Sequence, residues 1–191
     1  MIFDFHPSEL DRIFGADHVQ RVPPEAAIAA GITGDTRSFL VENGLPDNDF
    51  LTFPDFRKPG VAFRKVSLED LGATWNLPES AGCWIVLGNF EISTLVLDTR
   101  TGEVHQLAEG IMRPIPLHGD ISSLVKTIAA LTELTKALPE DYEDDEEALE
   151  NLQEDLDNLK RFISSRDTRP FADEHSEWVD IVTSLGAGMW G

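Results

Sequence analysis

The side chains with enough charge density to do chemistry lie in one stretch, "PEDYEDDEEALENLQEDLDNLKRF", Pro139 to Phe162. Eleven acids and no Lys or Arg stand between Glu140 and Asp157, more than half of the chain's formal charge of -20. Carboxylates at this density can gather cations or meet a cationic partner. Asp141, Glu143 and Asp145 alternate as they would in a calcium loop. An EF-hand loop, however, needs Gly at its sixth position and Glu at its twelfth, and Glu146 and Leu152 stand there. A solvated charged face is the reading that this spacing favours over a specific metal site.

Other constellations carry less. Gly186, Gly188 and Gly191 match G-x-G-x-x-G, but a dinucleotide site needs that pattern between a strand and the helix it opens. Here it follows a helical pattern. His6, His18, His105, His118 and His175 lack ligand spacing, so no metal set is assigned. "HSE" at His175 lacks the P-C-x-x-C partner of zinc deaminases. Neither a G-x-S-x-G elbow nor a P-loop occurs. Cys83, next to Trp84 in the most apolar run, reads as a buried small hydrophobe. The expectation is a protein without catalytic residues, metal or cofactor.

The bulk numbers agree with one body. A chain of 191 residues, 41% of them hydrophobic, has enough core for a single domain over residues 1–191. Its apolar runs are strand-sized, so no membrane span is expected. "MIFDFHPSELDR" has neither the basic start nor the apolar run of a secretory leader, which points to the cytoplasm. The acidic balance argues against direct contact with nucleic acid, whose phosphates require Lys and Arg. A single cysteine excludes an internal disulfide.

The elements that position these residues can be read from periodicity. Ser8 to Gly15 predicts a short amphipathic helix capped by Ser8. "TRSFLVEN" predicts another, started by Asp35 or Thr36 and stopped by Gly44 and Pro46. "VAFRKVS", "GCWIVLG" and "EISTLVLD" read as strands, and "STLVLDTRTGEVHQL" as a hairpin turning at Gly102, together an antiparallel meander. After Pro114 and Pro116 the period becomes helical, with Asp120 as cap and Ile121, Leu124, Val125, Ile128, Leu131 and Leu134 on one face. In the acidic stretch, Leu149, Leu152, Leu156, Leu159 and Ile163 recur at three or four residues. That spacing predicts an amphipathic helix near 144–163, with acids crowding its first turn and Lys160 and Arg161 in its last, as the helix dipole favours. A final helix near 173–185 carries Trp178, Ile181, Val182 and Leu185. The fold class is α+β, a central and largely antiparallel sheet flanked by helices.

The order of these pieces resembles the SUKH superfamily of bacterial immunity proteins, most closely its fourth group. The resemblance rests on "GLP" at Gly44 to Pro46, "LG" at Leu87 and Gly88, "LDTRTGEV" at Leu97 to Val104, and Trp178 in the last helix, and it spans nearly the whole chain. Where relatives open the helix after the sheet with Asn-Ser-Ser, this chain has Asp120, Ile121, Ser122 and Ser123; Asp is as good a cap acceptor as Asn. The resemblance implies a non-enzymatic binder that neutralises a cognate toxin by contact. The acids then mark the partner: a toxin with a basic cleft, such as a nuclease or nucleic-acid deaminase. The candidate contact residues are Glu143, Asp144, Asp145, Glu146, Glu147, Glu150 and Glu154, with Phe50, Phe53 and Phe56 of "DFLTFPDF" either as apolar anchors or as internal packing. Two other readings stay open: a regulatory or scaffold module for which the acids only supply solubility, and a mimic of nucleic acid phosphates. Oligomeric state is not legible.

Overall fold

The computed structural model describes residues 1–71, 75–139 and 142–189. Glu140, Asp141 and Gly191, which figure in the readings above, lie outside them. Two short strands, β1 (Val19–Gln20) and β2 (Leu45–Pro46), pair antiparallel near the N-terminal helices α1 (Pro7–Phe14), α2 (Pro24–Ala29) and α3 (Gly34–Glu42). Among the described residues the main sheet has five strands, all antiparallel to their neighbours and in chain order: β3 (Arg64–Lys65), β4 (Trp84–Asn89), β5 (Ser93–Asp98), β6 (Val104–Ala108) and β7 (Ile115–His118). A short helix, α4 (Leu68–Leu71), follows β3, and α5 (Ile121–Lys136), α6 (Glu146–Ser164) and α7 (Glu177–Gly186) follow the sheet.

The period of two along each strand sorts the core. Ile85, Leu87, Leu95, Leu97 and Val104 join the large core on the helix side, whereas Trp84, Val96 and Leu107 form a smaller cluster on the opposite face. That second face is partly roofed by Val66, Leu71, Trp75 and Leu77. Helix α5 is the most deeply buried helix, with Ile121, Leu124, Val125, Ile128 and Leu131 inaccessible to solvent. Its cap is Asp120, whose Oδ1 accepts from Ser123 N–H at 3.0 Å.

The fold is the α+β one expected, with a fuller sheet. The expected meander gains β7 as one edge, and its other edge, expected over "VAFRKVS", is the two-residue β3. Pro116 sits within β7, the outermost strand, where a residue without an N–H costs the sheet least. Two helix starts differ from expectation: α1 is capped by His6, whose Nδ1 accepts from Ser8 N–H, and α3 begins at Gly34 with no side-chain cap. Gly44 takes φ +86°, and a Cβ there would lie 2.7 Å from the Gln20 carbonyl oxygen, so glycine is required on both counts. Cys83 corrects the sequence reading: it ends a 3-10 turn just before β4 and is exposed, because the apolar alternation starts one residue later, at Trp84.

Candidate functional site

Helix α6 is built from its first residue to divide charge from apolar surface. The Asp145 carboxylate accepts from the N–H groups of Glu147 and Ala148 at 3.0 and 3.2 Å, satisfying two donors that no carbonyl can reach. Leu152, Leu156, Leu159 and Ile163 then point into the large core, with Leu149 partly buried beside them, and the helix lies against α5 and α7. The 19 residues of α6 give a rod about 28 Å long.

The opposite side of the rod is anionic and largely unmatched. Glu143, Asp144, Asp145, Glu146, Glu147, Glu150, Glu154, Asp155 and Asp157 are all exposed. Among the described residues, Asp157 is the one member of this group in an ion pair, with Lys160 at 3.4 Å. Arg161 turns to the Asn158 side chain and the Asp157 carbonyl. Glu143 hydrogen-bonds the Tyr142 side chain, whose hydroxyl burial and the nearby Glu143 charge push above its usual pKa. Helical spacing sets Glu146, Glu150 and Glu154 in one column and Glu147, Asn151 and Asp155 in another.

The second column borders a groove of about 420 Å³ between α6 and the end of α5. Leu134, Leu138, Ala148 and Leu152 supply its apolar lining, and Asp145, Glu147, Asn151 and Asp155 its polar rim. The sequence reading missed Asp155 and the α5 residues. The spacing of Glu147, Asn151 and Asp155 could have revealed Asp155, whereas the α5 side of the groove requires the packing of two helices.

The phenylalanines belong to another part of the molecule, held by the loop after β2. The Asn48 side-chain oxygen accepts from Phe50 and Leu51 N–H, both at 3.0 Å, and buried Gln20 accepts from Phe56 N–H at 3.1 Å. These bonds turn the loop inward. Phe50 packs edge-on against Trp178 with ring centroids 6.2 Å apart, and Phe56 lies 4.7 Å from Phe63. Phe50 and Phe56 are thus core residues and not projecting anchors, which corrects that alternative; Phe53 is half-buried.

A Ser, a His and an Asp do come together in space, and their hydrogen bonds exclude a nucleophile. Trp178 Nε1–H donates to His118 Nε2 at 2.7 Å, and indole nitrogen can only donate. His118 Nε2 must therefore accept, which leaves the proton of the neutral ring on Nδ1, 2.9 Å from Ser123 Oγ. Ser123 in turn hydrogen-bonds Asp167. Protons point from His to Ser to Asp, the reverse of a hydrolytic triad. His118, Ser123 and Trp178 are solvent-inaccessible. Burial pushes the His118 pKa down to about 3. Burial alone would raise the Asp167 carboxyl, but hydrogen bonds from Gly119 N–H and Ser123 hold it below its usual range. This relay fastens β7, α5 and α7 together.

Among the described residues, no cluster of His, Cys, Asp and Glu has the arrangement of a metal site, and no helix is long and apolar enough to cross a membrane. An antiparallel sheet backed by helices, one of which is a capped rod with an unmatched anionic side, defines an acidic α+β protein whose distinctive surface is helical. A family model described as SUKH-4 immunity protein matches residues 5–184, and the chain belongs to that family. Comparison with curated proteins and with solved structures finds no match.

Proposed function

We propose that the protein neutralises a toxin by direct contact, and that its acidic α6 face and adjoining groove receive a basic cleft of the kind found in nucleases and nucleic-acid deaminases. Membership of an immunity protein family supports the toxin. The observation that carries the finer reading is the run of exposed acids from Glu146 to Asp155 without an internal cation. A toxin that grips nucleic acid must present positive charge, and carboxylates can occupy that surface in place of phosphates.

The division of labour follows from magnitudes. Exposed charge pairs are worth at most about 1 kcal/mol each and weaken with salt, so the acids chiefly speed encounter and select the partner. Tight inhibition requires desolvated contacts near the centre of the interface. With Phe50 and Phe56 in the core, the apolar lining of the α5–α6 groove supplies that contact, taking a side chain of the partner flanked by its Lys or Arg residues. Immunity of this kind acts in the cytoplasm of the cell that makes the toxin.

The test is association with the toxin encoded beside the gene, comparing the native chain with E146Q/E147Q/E150Q/E154Q. Asp145 is left in place because it caps the helix. The expected outcome is an association rate at least about tenfold lower and a flatter salt dependence, with nucleic acid competing for the same toxin surface. An unchanged rate and salt dependence would remove α6 from the interface. An unaffected complex with an endogenous regulatory protein, and none with the toxin, would favour the scaffold reading.

A further inference from the structure

Another cavity lies away from α6, on the second face of the sheet. It is a groove of about 660 Å³ beside Val66, Leu71 and Trp75, and it extends to the tip of the β4–β5 hairpin. Val86 and Leu107 contribute apolar floor and Trp75 an apolar wall, and the hairpin tip presents Ile92, 74% exposed, the most exposed large hydrophobic among the described residues.

The rim is charged at both ends, with opposite signs. Arg64 and Lys65 stand on β3, while Glu91 is on the hairpin tip and Glu109 follows β6. All four are exposed, and among the described residues none of them forms an ion pair. Several cations of this acidic chain are matched internally, Arg12 with Glu133, Arg57 with Asp47 and Asp55, Arg113 with Asp173, and Lys126 with Glu9, whereas Arg64 and Lys65 share with Arg37, Arg100, Arg161 and Arg166 the lack of an ion pair among the described residues. From β3 to β6 is three ladder steps, roughly 14 Å, so Arg64 and Lys65 stand well apart from Glu109.

We infer that this groove is a self-association surface whose occupant is a second copy of the same chain, related by a two-fold axis. An acidic peptide would satisfy Arg64 and Lys65 but face Glu91 and Glu109 as like charges, and a basic peptide would meet the reverse conflict. A second copy turned by a two-fold satisfies both ends, because a closed isologous contact brings each residue of a pair to its partner twice. Arg64 and Lys65 of each protomer then meet Glu91 and Glu109 of its mate, and each Ile92 enters the facing groove beside Trp75. The net charge of -20 opposes association in general. The patch itself, however, carries two charges of each sign, and the α6 acids belong to a helix packed on the opposite side of the sheet. At physiological salt their field decays over about 8 Å. Dimerisation through this face therefore leaves the proposed toxin-binding face free, and the two readings stand or fall separately.

Sedimentation equilibrium of the full chain at increasing concentration tests the inference by charge exchange. The native protein is expected to form dimers. R64E/K65E and E91K/E109K, each folded by circular dichroism, should dimerise at least about tenfold more weakly because like charges face each other. An equimolar mixture of the two should form heterodimers, and the fourfold variant should regain the native dimer. I92D offers a check that leaves all four charges intact and should also weaken association. A native chain that remains monomeric throughout, or a dimer that both reversals leave unchanged, would overturn the proposal. So would a monomer that instead takes up a Glu-rich or Lys-rich peptide in this groove.

Discussion

At His118 a single indole donor fixes the whole relay, and it also fixes how the protein responds to acid. The folded ring stays neutral down to about pH 3, while the imidazole of an unfolded chain takes up a proton below about 6.5. Between those values the unfolded state binds the extra proton, so stability falls as pH drops, by about 1.4 kcal/mol per unit. The depressed Asp167 carboxyl acts lower: its contribution is complete above the ordinary carboxylate pKa of 3.8 and is lost as pH falls through the folded value. H118Q separates the two, since a Gln amide can accept from Trp178 and donate to Ser123. Urea unfolding of this variant between pH 7 and 4.5 should show a much shallower loss than that of the native chain. Nothing in the sequence joins His118, Ser123, Asp167 and Trp178; the relay exists only after β7, α5 and α7 have packed. The same holds for Phe50 and Phe56, whose inward turn depends on Asn48 and Gln20 and not on any pattern among the aromatics.

Helix α6 carries a cost that its own packing does not require. Glu146, Glu150 and Glu154 are successive i,i+4 neighbours, and like charges at that spacing destabilise a helix by about 0.2–0.5 kcal/mol per pair. E150Q removes both repulsions and should therefore stabilise the free protein by about 0.4–1 kcal/mol at low salt, measurable by urea unfolding, while slowing association with the toxin. A gain in stability without loss of binding would mark this column as surface only. The helix was legible from sequence because leucines at three- and four-residue spacing allow one solution, and Asp145 provides the start. Strand β7 was not, because Pro114 and Pro116 argue against a strand by every local rule, and only its position at the sheet edge makes Pro116 harmless. Strand β3 was read too long: "VAFRKVS" keeps two paired residues, while Thr52, from a distant loop, bridges Asn89 further along β4. Gly88 stands where that loop crosses, its missing Cβ 2.5 Å from the Thr52 carbonyl oxygen.

For the molecule as a whole, the fold class followed from the change of period along the chain, and the excess of acid set its electrostatics. A net charge of -20 makes the compact state self-repelling, and salt shortens the reach of that repulsion from about 30 Å at 0.01 M to about 3 Å at 1 M. Added NaCl should therefore raise the thermal midpoint, by about 2–4 °C for each kcal/mol of repulsion removed. A scanning calorimetry series in NaCl checks this, and a falling midpoint would mean that the surface ion pairs outweigh the repulsion. The exposed position of Cys83 has a practical consequence at this scale. As the chain's sole thiol, it accepts one maleimide dye per molecule without mutagenesis. It precedes β4, whereas the hairpin tip lies beyond the other end of that strand, about 20 Å away. A fluorophore there would ride clear of the groove mouth, so resonance energy transfer between differently coloured copies could count protomers, and quenching by an added toxin could follow capture in the same cuvette.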